Sequence, residues 1–100
     1  MTCQFELSRL DDGVYRLTGA LVFETIPDVL ARSAVLFESD VDIEIDLSAV
    51  VRADSAGLAL LLEWLRRAKK QQHKVVFRNM PEQMNAIAGL VGVDEMLSLE

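Results

Sequence analysis

The chain has 100 residues, of which 51% are hydrophobic, and this suits one compact domain with one core rather than two domains. Sixteen acidic residues against ten basic ones give a net charge of −6, which argues against nucleic acid as the main partner. Cys3 is the single cysteine, so the sequence excludes an internal disulfide and a cysteine-based metal cage.

The N-terminal residues 1–13 lack the basic start and uninterrupted apolar stretch of a secretory signal. No apolar run approaches the roughly 20 residues of a membrane-spanning helix. We therefore expect a soluble, cytoplasmic protein.

The first third of the chain predicts two strands and a helix. Residues 4–10 and 14–23 alternate apolar with polar side chains on either side of an Asp-Asp-Gly sequence, which is typical of a β-hairpin. Residues 25–39 repeat apolar side chains at helical spacing. They predict a first helix that ends near Glu38, with Thr25 as its N-cap and Pro27 in its first turn.

Residues 41–47 predict a strand with apolar side chains on one side and Asp42, Glu44 and Asp46 on the other. Helices should therefore cover only one face of the sheet, and the other face should meet water or a partner. Alternate residues on a strand lie about 7 Å apart, a separation that two catalytic carboxylates could use. Because no histidine, metal partner or aromatic cleft accompanies these acids, we favour a solvated strand face.

The second half predicts helices and strands in alternation. A loop at 48–54 leads into a second helix over about Ser55 to Lys70, followed by a strand at 73–77. Met80-Pro81 opens a third helix that Gly92 should stop, and residues 94–100 predict a last turn and an edge strand. The predicted fold class is α/β: one domain over residues 1–100, with a mixed sheet, right-handed crossovers and helices mainly on one face.

The second helix carries two apolar stripes. The stripe that should face the sheet consists of Leu58, Leu61, Leu62, Leu65 and Ala68. Leu60 and Trp64 form a second stripe with two interpretations. Trp64 could fold over a sheet margin or pack on a neighbouring helix, or the stripe could dock a partner, since tryptophan is enriched at interface hot spots.

The start of this helix holds the main candidate site. Gly57 weakens the helix by roughly 1 kcal/mol relative to alanine, and we interpret it as clearance for a protein partner. Asp54 and Ser55 are common capping residues, and a helix N-terminus also suits a phosphate. Phosphorylation of Ser55 would add about two negative charges beside Asp54. Ser55 has no candidate base, so we expect no catalytic residue here.

Basic side chains cluster toward the end of the second helix and beyond it, at Arg66, Arg67, Lys69, Lys70, Lys74 and Arg78. The first four suit the negative end of a helix dipole. An acidic partner surface or lipid headgroups are the alternative explanation for this cluster.

Residues 45–97 resemble a STAS domain, the module shared by anti-sigma factor antagonists, sulfate transporter tails and small bacterial transport subunits. The similarity extends from the first strands to Leu97. Its most specific part is the series Asp46-Leu47-Ser48, Asp54-Ser55 and Gly57-Leu58.

The resemblance implies two competing roles. In anti-sigma factor antagonists, a partner kinase phosphorylates the serine aligned with Ser55, and this releases the partner. In the STAS subunit of the Mla phospholipid-transport ABC complex, the corresponding hydroxyl residue and helix contact the cytoplasmic ATPase. Arg52 and the unbroken apolar run at 58–62 make this chain more similar to the second group. The antagonists commonly carry two hydroxyl residues where this chain has Ser55-Ala56.

From the resemblance we expect a non-enzymatic subunit that binds, stabilises and activates the ATPase of a complex maintaining outer-membrane lipid asymmetry. It would lie at the cytoplasmic face of the inner membrane through the complex, without insertion, cofactor, metal, nucleic acid or small-molecule substrate. The expected partner-binding residues are Arg52, Asp54, Ser55, Ala56, Gly57, Leu60 and Trp64. The alternative is an anti-sigma factor antagonist regulated by phosphorylation of Ser55.

Overall fold

The computed structural model describes residues 5–38 and 42–92. These residues form a four-stranded sheet with helices packed on it. In chain order the elements are β1 (Phe5–Asp11), β2 (Val14–Leu21), α1 (Ile26–Ser33), a 3-10 helix (Ala34–Glu38), β3 (Ile43–Ala53), α2 (Ser55–Lys70), β4 (Val75–Arg78) and α3 (Glu82–Val91).

The strands lie in the order β1-β2-β3-β4. β1 pairs antiparallel with β2 through the predicted hairpin, whose turn uses Gly13 at a positive φ of 71°. β2, β3 and β4 are parallel, as strands joined by helical crossovers must be. The prediction of an α/β domain with a mixed sheet and helices mainly on one face is confirmed.

β3 is longer than its sequence pattern predicts. The prediction of a loop at 48–54 is wrong, because the strand continues to Ala53 and pairs there with Leu21 of β2. The pairing register shifts twice, between Arg16 and Thr18 and between Gly19 and Ala20 of β2. Each shift places an extra residue in β3, which interrupts the alternation of apolar and polar side chains. A pattern with such interruptions does not predict a strand.

The first helix begins where predicted but is shorter. Only Ile26–Ser33 are α-helical, and the chain then tightens into the 3-10 helix up to Glu38. Thr25 is the N-cap residue, as predicted, but its side chain makes no capping hydrogen bond. The Thr25 hydroxyl is buried, donates to the carbonyl of Ala20 at 2.8 Å and accepts from the Val22 N–H at 3.1 Å. It therefore fixes the loop before the helix.

The later elements follow the prediction closely. α2 has the predicted bounds, and α3 ends at Gly92, whose φ of 76° is the left-handed conformation of a glycine C-cap. The edge strand predicted at 94–100 lies outside the described residues.

The acidic side of β3 is turned away from the core and is bound to basic side chains. Arg16 Nε contacts Asp46 at 3.1 Å, and Arg78 Nε contacts Glu44 at 2.8 Å. Desolvation raises the pKa of Asp46, but hydrogen bonds from the Ser48 N–H, Asn79, the Ser48 hydroxyl and Arg16 outweigh it and lower the pKa to about 2. An acid held ionised in this way is not a proton donor at neutral pH.

Candidate partner-binding site at the start of α2

The candidate site lies at the edge of the sheet where the parallel strands end. α1 follows the end of β2, α2 follows β3 and α3 follows β4, so three helices begin at this edge. In open α/β sheets this carboxyl edge is the usual place for binding. Among the predicted contact residues, Arg52, Asp54, Ser55 and Ala56 lie here, at the end of β3 and in the first turn of α2.

Asp54 is the N-cap of α2 and joins three segments of chain. Its Oδ1 accepts from the N–H of Ala56 at 2.9 Å and from that of Gly57 at 3.4 Å. Its Oδ2 accepts from the N–H of Phe23 at 3.2 Å, in the loop between β2 and α1. The Asp54 N–H in turn donates to the carbonyl of Leu21 at 3.2 Å. Asp54 therefore fixes the helix start against the preceding crossover.

Ser55 is the first residue of α2 and is exposed. Within residues 5–38 and 42–92, its hydroxyl makes no hydrogen bond, and the side-chain capping bonds of the helix come from Asp54. The side chain is thus open to solvent at a helix N-terminus, where a hydroxyl or phosphate is electrostatically favoured. That Ser55 contacts a partner, or is phosphorylated, stays a prediction.

Gly57 is buried, and its clearance serves this chain rather than a partner. A Cβ at this position would lie 2.6 Å from the carbonyl oxygen of Leu21 and 3.0 Å from the Leu21 Cβ. The interpretation of Gly57 as space for a partner is therefore wrong. The glycine lets α2 approach the end of β2.

Leu60 and Trp64 are also buried, with exposed fractions of 2% and 0%, so their interpretation as partner-contacting residues is wrong. The Trp64 indole N–H donates to the Ser33 hydroxyl of α1 at 3.0 Å. Its ring stacks on Phe77 of β4, with centroids 6.2 Å apart. The alternative interpretation, packing of Trp64 on a neighbouring helix, describes these contacts.

The apolar face of α2 is rotated from the predicted stripe. Leu58, Leu61 and Ala68 are buried as predicted, whereas Leu62 and Leu65 are only half-buried. The helix is covered by α1 and α3 as well as by the sheet, so its buried face is wider than one stripe.

Phe23 belongs to the same edge of the sheet and was not predicted there. Its side chain is 77% exposed, and its N–H is bound by Asp54. The alternating pattern predicts a strand over residues 14–23, but the strand ends at Leu21. The sequence contains one indication of this earlier end: the apolar run from Ala20 to Phe23 breaks the alternation of apolar and polar residues.

The basic end of α2 is partly neutralised by one acid. Glu63 accepts from Arg66 at 2.7 Å and from Arg67 at 2.8 Å. Hydrogen bonds from Arg66 and then Arg67 lower the pKa of Glu63 to about 2. Lys69 and Lys70 occupy the last turn, where cations favour the helix dipole.

Two further observations concern the described part of the chain. There, no group of three His, Cys, Asp or Glu side chains is placed to hold a metal ion. Of the helices in these same residues, none combines the length and the apolar content that crossing a bilayer requires.

Solved structures of anti-sigma factor antagonists share this fold. One from Mycobacterium paratuberculosis is 28% identical, with a TM-score of 0.69 over 95% of this chain and 82% of that one. A putative antagonist from Thermotoga maritima is 18% identical, with a TM-score of 0.75 over 93% and 82%. The phosphorylated form of the Bacillus cell fate determinant SpoIIAA is 16% identical, with a TM-score of 0.69 over 91% and 86%.

No curated protein sequence is significantly similar to this chain. The family described as "Mlab, STAS domain" matches residues 6–98. The match covers the sheet, the helices and the Asp54-Ser55 turn, and it confirms the resemblance found in the sequence. The chain belongs to the STAS domain family, in the group described as Mlab.

Proposed function

We propose that this STAS domain is a non-enzymatic cytoplasmic subunit that binds, stabilises and activates the ATPase of an Mla-type phospholipid-transport ABC complex. The match of residues 6–98 to the Mlab group carries this proposal. The domain would reach the inner membrane only through the complex, which maintains outer-membrane lipid asymmetry. It needs no cofactor of its own.

The exposed first turn of α2 supports a contact at the carboxyl edge of the sheet. Ser55 and Arg52 are exposed there, and Asp54 and Ala56 are half-buried. Asp54 fixes this turn to the crossover before it, so the surface is rigid before a partner arrives. A preformed surface loses little conformational entropy on binding. The proposed contact therefore consists of Arg52, Asp54, Ser55 and Ala56.

A second candidate function is that of an anti-sigma factor antagonist. The Mycobacterium paratuberculosis antagonist, at 28% identity, favours it. The exposed Ser55 hydroxyl is accessible to a kinase, and a phosphate there would lie one residue from the Asp54 carboxylate. The added charge would repel a partner that binds around Asp54. Both candidates therefore use the same turn.

Binding of purified ATPase to Ser55→Glu tests the first candidate. We expect Ser55→Glu to abolish co-purification and ATPase activation without lowering the melting temperature, because Ser55 is exposed. Val35→Glu is the matched control, since Val35 is 64% exposed in the 3-10 helix, one helix length from this edge. Normal binding by Ser55→Glu would refute the proposed contact.

Intact-mass measurement separates the two candidates. The chain and its Ser55→Ala variant are incubated with ATP and a purified anti-sigma serine kinase. A phosphate that appears on the natural chain and is missing from Ser55→Ala supports the antagonist. ATPase activation without any such phosphate supports the transport subunit.

A further inference from the structure

Phe23 differs from the other exposed apolar side chains in its attachment to the site. Large apolar side chains are exposed at five described positions: Leu10, Phe23, Val35, Val51 and Leu90. Phe23 is the aromatic one among these five, and its backbone N–H is bound by the Asp54 cap of α2. Exposed aromatics on a protein surface are frequent hot spots of protein interfaces.

The loop that carries Phe23 is fixed on both sides. Buried Thr25 binds the Ala20 carbonyl and the Val22 N–H through its hydroxyl. The Thr25 and Ile26 N–H groups donate to the Val22 carbonyl at 2.9 and 3.1 Å. The exposed ring therefore projects from backbone that is already ordered, and binding it requires little further ordering.

The charges around this edge indicate the chemistry of the partner. Glu24 follows Phe23 and is exposed, and Asp54 lies at the helix start. Glu82 is exposed in the first turn of α3, next to Gln83, whose Oε1 accepts from the Ala53 N–H at 3.3 Å. Arg52 adds one positive charge. Asp28 adds a further exposed acid in the first turn of α1. Four acids against one base repel anionic lipid headgroups and complement a basic protein surface.

We propose that Phe23 is the aromatic anchor of the partner contact and enters an apolar pocket bordered by basic side chains on a protein. Asp54 is its positioning residue, because one carboxylate oxygen caps α2 while the other holds the Phe23 N–H. This inference rests on the proposed function, in that the partner is the transport ATPase.

Phe23→Ala tests the anchor directly. We expect it to weaken binding of purified ATPase about 30-fold, the loss typical of a hot-spot residue, while the melting temperature stays unchanged. Phe23→Trp should keep most of the affinity. Val35→Ala removes a comparably exposed apolar side chain from the 3-10 helix that follows α1, and this variant should bind like the natural chain.

Asp54→Asn tests the positioning role. The asparagine carbonyl oxygen can still cap α2, but its amide nitrogen cannot accept the Phe23 N–H. We expect severalfold weaker binding in the natural background and a smaller loss when Phe23 is already alanine, because only the effect of the lost Asp54 charge then remains. Fully additive losses would overturn the positioning role.

The outcomes separate the anchor from the proposed function. If the natural chain binds the ATPase and Phe23→Ala binds equally well, the anchor is overturned and the function stands. If the natural chain binds only an anti-sigma serine kinase, the function fails and loss of that binding in Phe23→Ala still supports the anchor. If the natural chain binds neither the ATPase nor the kinase, both the anchor and the proposed function are overturned. Phe23-dependent sedimentation with phosphatidylglycerol vesicles would also overturn the protein partner.

Discussion

The first turn of α2 and the middle of the same helix have opposite roles. At the first turn Ser55 is exposed, and the N-cap Asp54 binds the N–H of Ala56 in the helix and that of Phe23 in the loop before α1. Two turns later Trp64 is completely buried and is held by Ser33 and Phe77. Changes in the first turn should therefore alter partner binding, whereas changes in the middle should alter folding. This difference places the candidate surface at the end of β3, the first turn of α2 and the loop beside them.

Trp64→Ala should produce the largest effect on stability. Removing this side chain leaves a cavity against β4 and the Ser33 hydroxyl without its indole donor, so the free energy of unfolding should fall by about 3–5 kcal/mol. Urea denaturation followed by circular dichroism measures the loss. Trp64→Phe keeps much of the packing and should lose less. A normally stable Trp64→Ala that no longer binds the ATPase would instead place Trp64 in the contact.

Gly57→Ala examines the boundary between the two regions. Alanine is the better helix former by about 1 kcal/mol, but its Cβ would meet the Leu21 carbonyl oxygen at 2.6 Å. The new Cβ lies on α2 and the Leu21 oxygen on β2, and these two elements are packed together. We therefore expect a net loss of about 1–3 kcal/mol in the free energy of unfolding.

Gly89→Ala is the matched control for this substitution. Gly89 lies within α3, and a Cβ there would meet nothing within 4 Å. The same change should therefore stabilise the domain by about 0.5–1 kcal/mol. If Gly57→Ala stabilises the domain as Gly89→Ala does, Leu21 does not require the glycine, and clearance for a partner becomes the better explanation.

The sequence predicts the elements that depend on local patterns of apolar, polar and capping residues. The hairpin, α2 and the Gly92 stop depend on local patterns, and the structure shows all three. The roles of Gly57 and Trp64 depend on which elements lie beside α2. Periodicity shows that a residue belongs to an apolar side, but it does not show that Leu21 or Ser33 covers it.

The same limit applies to the candidate site. The Asp54-Ser55 pair is recognisable as a helix start from its residue types alone. That Asp54 rather than Ser55 makes the capping bonds depends on backbone geometry. Phe23 is 31 positions away from Asp54 along the chain, so only the tertiary structure places its N–H at that carboxylate.

Glu63→Gln should have the smallest effect, and it adds a third, half-buried part of α2 to the comparison. In the folded chain Arg66 and Arg67 lower the pKa of Glu63 from 4.5 to about 2. The stabilisation from these ion pairs is therefore fully present above pH 4.5 and is lost as the pH falls through about 2. Melting temperatures measured from pH 6 to pH 2 should fall slightly less steeply for Glu63→Gln than for the natural chain.

ATPase binding at pH 7 should be the same for Glu63→Gln and the natural chain, because Glu63 lies two turns from Ser55. Weaker binding by Glu63→Gln would extend the contact along α2 toward its basic end.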